Sequence, residues 1–369
     1  MIHRRAMLGQ VGAVALGAML PWQRSQAAEP YDAVVSLTLR DDIKAPRFTS
    51  IASALAAAPA DPHRPHRILI GKGVWRERLV IDKPFIRLIG EGRDESVIVF
   101  NRSAGDLGED GKPIGTFKTQ TVAVTAADFS AAHLTIANDF DYVAHLPPPV
   151  PTDKTGASGA QAIALSIHGG ADRCSLKDVA ITGHQDTLYT DSGRSRFEAC
   201  RITGSVDFIF GAGRVWFENC EIVSRLRPGQ ALNGYIAAPD TDVHQPVGLV
   251  FSACRLVKEA GVAAHTVALG RPWRHTRTFA DGMRYGDPDN VGACAYLNCW
   301  MDDHIVPEGW SAMGYTAQNG SKLQLEPEDV RFFEYASRGP GAGKFSAKRR
   351  FLTTPEEFTE KKVLQGWDR

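Results

Sequence analysis

A short sequence pattern recurs along the middle of this chain at intervals of about twenty residues. FEACRITGSVD starts at Phe197, FENCEIVSRLR at Phe217 and FSACRLVKEAG at Phe251. LKDVAITGHQD, from Leu176, follows the same order of large apolar, polar and small residues, and AAHLTIAND near Leu134 is a fainter copy. The starts at 176, 197 and 217 are 21 and 20 residues apart, and the step to 251 contains an insertion. A period of this length is typical of repeat architectures.

The repeat predicts an all-β fold, a right-handed parallel β-helix in which each unit forms one coil of a solenoid. Short runs with alternating apolar residues, separated by Gly and Asn, suit the strands and turns of successive coils. A β-sandwich also has strands and turns at regular spacing. The sandwich does not explain why the same residue types return at the same place in each unit, so we favour the solenoid.

Both ends of the predicted solenoid carry a segment typical of a short capping helix. Residues 48–59 have Thr49 or Ser50 as a helix cap, and this helix could cover the open apolar end of the coils. Residues 352–367 contain a capping box at Thr354, with a proline at the first helical position. Three segments rich in Gly, Pro and Asp are long enough to wall a cleft, namely 101–120, 140–160 and 225–247.

The charge balance and the N-terminal segment indicate where the protein acts. Lys plus Arg and Asp plus Glu both number 42, so the chain lacks the overall positive field that attracts nucleic acid.

The N-terminal segment follows the order of a secretory leader: the basic start MIHRR, the apolar run AMLGQVGAVALGAMLP and the small-residue stretch SQA. Its paired arginines also fit a twin-arginine leader. No other apolar run reaches membrane-spanning length. We therefore expect cleavage after residue 27, one domain over 28–369, and a protein exported to the periplasm or the outside, without a membrane partner.

The six cysteines do not predict a structural metal, because none forms a CxxC pair or neighbours a His at zinc-finger spacing. Cys200 and Cys220 occupy the same position in neighbouring units. Their expected Cα separation would suit a disulfide, which export would permit. They could equally be buried thiols that fill the interior of the coils, and the sequence leaves both interpretations open.

Two aspartates also occupy equivalent positions. Asp186 is the eleventh residue of the unit that starts at Leu176, and Asp207 is the eleventh residue of the unit that starts at Phe197. Equivalent residues in adjacent coils lie about 4.8 Å apart. At about 5 Å and an effective dielectric constant near 20, two negative charges repel by roughly 3 kcal/mol. This corresponds to about two pKa units, so one acid keeps its proton near neutral pH and the pair suits acid–base chemistry. Two solvated surface acids are the alternative.

Four motifs are similar in order and spacing to those of the pectin methylesterases, also called pectinesterases: GAQAIAL from 159, GHQDTLY from 183, GSVDFIFGAG from 204 and LGRPWRHTRT from 269. The resemblance continues through GVWRERLVI from 73, MDDHIVPEGW from 301 and RFFEYASRGPGAG from 331. It therefore covers nearly the whole mature chain. Trp75 stands where the family commonly has Tyr, and Ser205 where it usually has Thr; neither change removes a catalytic group.

The resemblance implies that the chain hydrolyses methyl esters of homogalacturonan to pectate and methanol through an aspartyl acyl-enzyme. By this resemblance Asp207 is the nucleophile and Asp186 is the general acid and then the base. Gln161 and Gln185 correspond to the oxyanion hole, and Arg271 to the residue that orients the nucleophile. The resemblance implies neither a metal nor a cofactor.

The resemblance also assigns a substrate-binding surface for a polysaccharide. Trp273 corresponds to the residue that stacks on a sugar ring, and Tyr189, Phe210 and Met301 fall where the family lines its cleft. We expect a monomer, as is common for solenoids with capped ends.

Three other functions are compatible with a solenoid. The same catalytic groups could hydrolyse a different acyl ester or a thioester. A non-catalytic β-helix could bind an acidic polysaccharide. A pectate lyase would share the solenoid but usually holds Ca²⁺ in a cluster of acids, whereas the neighbours of Asp207 are aromatic.

Overall fold

Short parallel strands, joined by sharp turns, wind into a solenoid through most of the described chain. The computed structural model describes residues 31–60, 64–146, 159–344 and 346–367. The predicted leader and part of the 140–160 segment lie outside the described residues. Three parallel sheets run along the solenoid, so the predicted parallel β-helix is confirmed.

Each sheet takes its strands from successive coils, and neighbouring strands within a sheet belong to neighbouring coils. In spatial order, sheet A contains Arg47–Phe48, Ala33–Val35, His66–Ile70, Ile86–Gly90, Ser130–Ala132, Cys174–Lys177, Arg194–Glu198, Arg214–Glu218, Leu249–Ser252, Ala293–Leu297 and Arg331–Tyr335. Sheet B contains Trp300–Met301, Arg255–Lys258, Glu221–Ser224, Arg201–Gly204, Ala180–Thr182, Thr135–Asn138, Ser96–Phe100 and Gly73–Arg76. Sheet C contains Val267–Gly270, Gly234–Pro239, Val206–Gly211, Leu188–Thr190, Leu165–Ile167, Val122–Val124 and Leu79–Ile81.

Smaller elements decorate the coils. Two antiparallel hairpins pair Thr276–Thr278 with Arg284–Gly286 and Met313–Thr316 with Lys322–Leu325. The α-helices are Ile51–Ala57 and Glu360–Val363, and the 3-10 helices are Thr116–Lys118, Val143–His145, Pro327–Asp329 and Glu356–Phe358. None of the helices within the described ranges is long and apolar enough to span a membrane.

The predicted repeat is reproduced residue by residue in the strand register of sheet A. Leu176 pairs with Phe197, Phe197 with Phe217, and Phe217 with Phe251. Phe251 in turn pairs with Tyr296, and these side chains are fully buried. The ring centroids of consecutive aromatic residues lie 4.9, 4.5 and 4.5 Å apart, so the rings stack through the centre of the solenoid. Each coil therefore buries its large apolar residue against the same residue of the next coil.

A left-handed backbone residue turns the chain from sheet A into sheet B at each coil. Ala199, Asn219 and Ala253 have φ values of 52°, 54° and 53°. The residue that follows each of them is a cysteine that points into the coil interior and is almost completely buried. The Sγ atom of Cys220 lies 3.5 Å from the carbonyl oxygen of Phe197 in the preceding coil, within hydrogen-bonding range. All six cysteines lie in the described ranges and are free, so the structure favours buried thiols over a disulfide between Cys200 and Cys220.

The N-terminal helix matches its prediction. It spans Ile51–Ala57, and the Ser50 hydroxyl accepts a hydrogen bond from the backbone N–H of Ser53. Ile51 and Leu55 pack into the core of the coils. The Lys83 ammonium donates to three carbonyl groups at the C-terminal end of this helix, which offsets their lack of helical partners.

The prediction for the C-terminal segment is wrong in two respects. A 3-10 turn, Glu356–Phe358, and a single helical turn, Glu360–Val363, replace one longer helix, and Thr359 is the N-cap instead of Thr354. The segment also does not cap an end of the solenoid. Its buried apolar residues pack on the outer face of sheet A, where Trp216, Val250 and Leu297 would otherwise be exposed to solvent. The need to cover this apolar face determines where the segment lies.

The stacked ring at Phe217 gives a test of the core. Phe217→Ala removes a fully buried ring from between two others, so we expect the free energy of unfolding to fall by about 3–5 kcal/mol. Urea denaturation followed by circular dichroism measures this change. Leu39→Ala, at a position that is 76% exposed, is the control and should change stability by less than about 0.5 kcal/mol. A Phe217→Ala loss as small as that of the control would contradict the stacking account.

Candidate active site

The winding of the coils places Asp186 and Asp207 on neighbouring strands. Gln185 pairs with Val206 in a parallel bridge, and the Asp186 backbone N–H donates to the Val206 carbonyl oxygen at 3.0 Å. Each aspartate follows directly after one member of that bridge. The predicted neighbouring positions of the two acids in adjacent coils are therefore confirmed.

Both aspartates have a left-handed backbone conformation. Asp186 has a φ of 61° and Asp207 a φ of 48°, in the left-handed region that few residue types other than Gly tolerate. The pairing of this strand with the next coil also shifts register between Val206 and Ile209. An irregularity of this kind re-aims a side chain that a regular strand would direct along the sheet normal.

Arg271 donates hydrogen bonds to both oxygens of the Asp207 carboxylate. Its Nε donates to Oδ1 at 2.9 Å and its Nη2 donates to Oδ2 at 2.5 Å. The guanidinium also lies 4.0 Å above the ring of Tyr235. The backbone N–H of Arg271 donates to the Ala237 carbonyl, which fixes the segment along its neighbouring strand. The paired hydrogen bonds fix the orientation of the Asp207 carboxylate.

Asp186 has the opposite environment. Burial raises the pKa of its carboxyl well above the usual value, and the negative charge of Asp207 raises this pKa further, while Arg271 lowers it in part. In the part of the chain that the structure describes, Asp186 forms no ion pair. The two acids thus have unlike environments, because Asp207 is ion-paired with Arg271 whereas the pKa of Asp186 is raised.

All five predicted catalytic residues line one cavity of about 320 Å³. Besides the two aspartates and the arginine, it is lined by Gln161 and Gln185. The backbone carbonyl of Gln161 accepts from Ala104 N–H at 2.9 Å, and that of Gln185 accepts from Ala162 N–H at 3.1 Å. These bonds fix the two residues on adjacent coils, so their amide side chains border the same space as the carboxylates.

The predicted substrate-binding residues divide into two groups. Trp273 and Phe210 line the cavity. Tyr189 does not line it; its ring stacks on Phe210 at 4.7 Å, so it supports the wall from behind. The prediction for Met301 is wrong, because its side chain is fully buried in the core. Met301 pairs with Leu256 on sheet B, at an inward-facing position of the coil.

Sequence reasoning missed four residues of the cavity wall: Thr116, Phe117, Ala238 and Met313. Thr116 and Phe117 belong to the 101–120 segment, which was expected to wall a cleft. The 225–247 segment contains the strand Gly234–Pro239, which contributes Ala238. Met313 begins a hairpin outside the repeat, so no spacing in the coils indicated it. Within the described residues, no group of three or more His, Cys, Asp or Glu is placed to hold a metal ion.

Known proteins resemble this chain in sequence and in structure. Residues 38–361 match the family model described as Pectinesterase. Pectinesterase A of Dickeya dadantii is 44% identical over 350 residues, which cover 93% of each chain. Probable pectinesterase 8 of Arabidopsis thaliana is 32% identical over 80% of this chain and 65% of its own length. The solved pectin methylesterase PemA from Erwinia chrysanthemi has a TM-score of 0.85 at 44% identity, and covers 92% of this chain and 99% of its own. The carrot pectin methylesterase has a TM-score of 0.70 at 26% identity, over 93% of this chain and 95% of its own.

The raised pKa of Asp186 predicts a pH-dependent cost in stability. The folded state binds the Asp186 proton more tightly than the unfolded chain does, so this group lowers the free energy of unfolding as the pH rises above about 3.9, the ordinary pKa of Asp. Asp186→Asn removes this cost. We expect the stability gained by Asp186→Asn to grow between about pH 4 and pH 7.

Urea unfolding of the wild type and the variant at several pH values measures this difference. Asp94→Asn, at an exposed position, is the control and should give a difference that is nearly independent of pH. Parallel stability curves for Asp186→Asn and the wild type would contradict a raised pKa at Asp186.

Proposed function

The chain belongs to the pectinesterase family and hydrolyses the methyl esters of pectin to pectate and methanol, and we propose that it does so through an acyl-enzyme on Asp207. The observation that carries the proposal is the pairing of unlike acids. Asp207 is oriented by two hydrogen bonds from Arg271, and the half-buried Asp186, in the adjacent coil, has a raised pKa that favours its protonated form.

Asp207 is the nucleophile. A carboxylate attacks an ester slowly unless it is ionised and aimed at the carbonyl carbon. Arg271 meets both needs, because its two donors hold both oxygens of Asp207 in a fixed plane. One Oδ atom attacks the methyl ester carbonyl and forms a tetrahedral intermediate.

Gln161 and Gln185 stabilise that intermediate. Attack moves a negative charge onto the carbonyl oxygen, and the two amide groups can donate N–H bonds to it without carrying a charge themselves. A single donor of this kind contributes about 3 kcal/mol to the transition state in other acyl-transfer enzymes. Gln185 is almost fully buried, so water competes little for its amide.

Asp186 transfers the proton. As the bond to the methoxy group breaks, the Asp186 carboxyl gives its proton to the leaving oxygen, which departs as methanol. The galacturonyl group is then joined to Asp207 as an anhydride. The Asp186 carboxylate removes a proton from water, the resulting hydroxide attacks the galacturonyl carbonyl, and Asp207 leaves as a carboxylate. Both aspartates return to their starting protonation states.

Trp273 and Phe210 bind the polymer. The indole presents an apolar surface to a pyranose ring, and Phe210 and Met313 continue that surface along the cavity.

The catalytic groups all come from one chain, which supports action as a monomer. Because pectin is too large to enter a cell, we also propose that the enzyme is exported, in keeping with the leader-like order of its first 27 residues.

Asp207→Asn tests the nucleophile. We expect the rate of methanol release from highly methylated pectin to fall by several orders of magnitude, because the amide cannot form the anhydride, while the circular dichroism spectrum stays unchanged. Wild-type activity should not require calcium and should leave the polymer length unchanged, which distinguishes it from a lyase. Asp94→Asn is the control and should keep full activity.

Three outcomes would contradict the proposal. Substantial methanol release by Asp207→Asn would remove Asp207 as the nucleophile. Wild-type hydrolysis of small acyl esters or thioesters, without methanol release from pectin, would favour a different acyl substrate. Pectin binding without any release would indicate a non-catalytic binding protein.

A further inference from the structure

The segment after Arg271 carries a second aromatic side chain that the mechanism does not use. Trp273 and His275 are separated by one residue in an extended stretch, so their side chains lie on the same side of the backbone. The indole and imidazole centroids are 4.7 Å apart, and the two ring planes are inclined by 20°. The rings are therefore stacked, and His275 covers one face of Trp273.

His275 lies beside the cavity, and its side chain is partly exposed. Trp273 lines the cavity, whereas His275 does not. Because the imidazole occupies one face of the indole, a sugar ring can stack only on the other face. His275 thus determines which side of Trp273 is available to the polymer.

His275 also contacts a second residue that lines the cavity. Its ring stacks on Phe117 at 5.4 Å with an inclination of 29°. Phe117 lies in the 3-10 helix Thr116–Lys118 of the 101–120 segment and also lines the cavity. One imidazole therefore joins two cavity walls that come from distant parts of the sequence.

The ring-to-ring contacts form a closed circuit of five aromatic side chains. Phe117 contacts Tyr189 at 5.1 Å, and Tyr189 stacks on Phe210 at 4.7 Å. Phe210 meets Trp273 edge-on at 5.8 Å, and Trp273 stacks on His275, which returns to Phe117. Removing His275 would open this circuit at the point where it supports the indole.

The surroundings of His275 favour an uncharged imidazole ring that stacks on its neighbours. Its Nδ1 atom lies 3.8 Å from Oδ2 of Asp240, beyond hydrogen-bonding distance. Burial, followed by the charge of Asp191, raises the pKa of Asp240 well above its usual range. Burial also lowers the pKa of His275 below its usual value. Both shifts favour the uncharged forms of the two groups, so the stacked ring is what the imidazole contributes here.

We propose that His275 is a positioning residue that holds the Trp273 indole in the orientation in which it stacks on a sugar ring of the polymer. The proposal rests on the proposed function, in which Trp273 binds the substrate. His275 touches no reacting atom and acts through Trp273 and Phe117.

A double-mutant cycle on KM tests this role. His275→Ala should raise the KM for highly methylated pectin by roughly threefold to tenfold, the range for a lost aromatic pair, and change kcat by less than about twofold. His275→Phe keeps a flat ring and should restore KM to within about twofold of wild type. In a Trp273→Ala background, His275→Ala should raise KM by less than about a further twofold. His244→Ala, at an exposed position, is the control and should leave KM unchanged.

The outcomes separate this proposal from the proposed function. If Trp273→Ala leaves KM unchanged, the sugar-stacking role of Trp273 fails and the His275 proposal fails with it. If Trp273→Ala raises KM but His275→Ala does not, or if the two effects add fully, the His275 proposal alone is overturned. A lower thermal unfolding midpoint for His275→Ala with an unchanged KM would show a purely structural role and would also overturn it.

Discussion

The in-register stacking of one coil on the next is the interaction on which the rest of this molecule depends. Parallel strands place equivalent residues of adjacent coils one strand spacing apart. The same geometry stacks Phe197, Phe217 and Phe251 in the interior and sets Cys200 beside Cys220 at the turn. Core, turn and active site are therefore consequences of one register, and a slip of that register would disturb all three.

The acid pair uses this register at a cost in stability. Two carboxyl groups are brought together, both residues have left-handed backbone angles, and Asp186 is partly desolvated. Each of these features destabilises the folded state on its own. Arg271 offsets the charge of Asp207, and the raised pKa of Asp186 favours the form of that acid without a charge. The apolar stack of the neighbouring coils supplies the stability that allows this arrangement to persist.

The repeat spacing predicted which residues of adjacent coils pair, and the resemblance predicted Gln161, Arg271 and Trp273 in the cavity wall, whereas the packing of segments between and beyond the coils could not be predicted. The spacing of Leu176 and Phe197 predicted their pairing, and the same count placed Asp186 beside Asp207. Met301 was assigned to the cleft by resemblance, but its pairing with Leu256 directs its side chain into the core. Met313 lies in a hairpin without a counterpart in other coils. The C-terminal segment had the local signals of a capping helix, yet the apolar outer face of sheet A determined where it packs.

The central claim is that Asp186 holds a proton at neutral pH because desolvation and the neighbouring Asp207 carboxylate both raise its pKa. Infrared difference spectroscopy between the wild type and Asp186→Asn measures this directly through the C=O stretch of a protonated carboxyl group. The account predicts that this band is present in the wild type near pH 7 and titrates at a lower pH when Asp207 is replaced by Asn. A wild-type spectrum without a band that depends on Asp186, or one whose titration is indifferent to Asp207, would contradict the account.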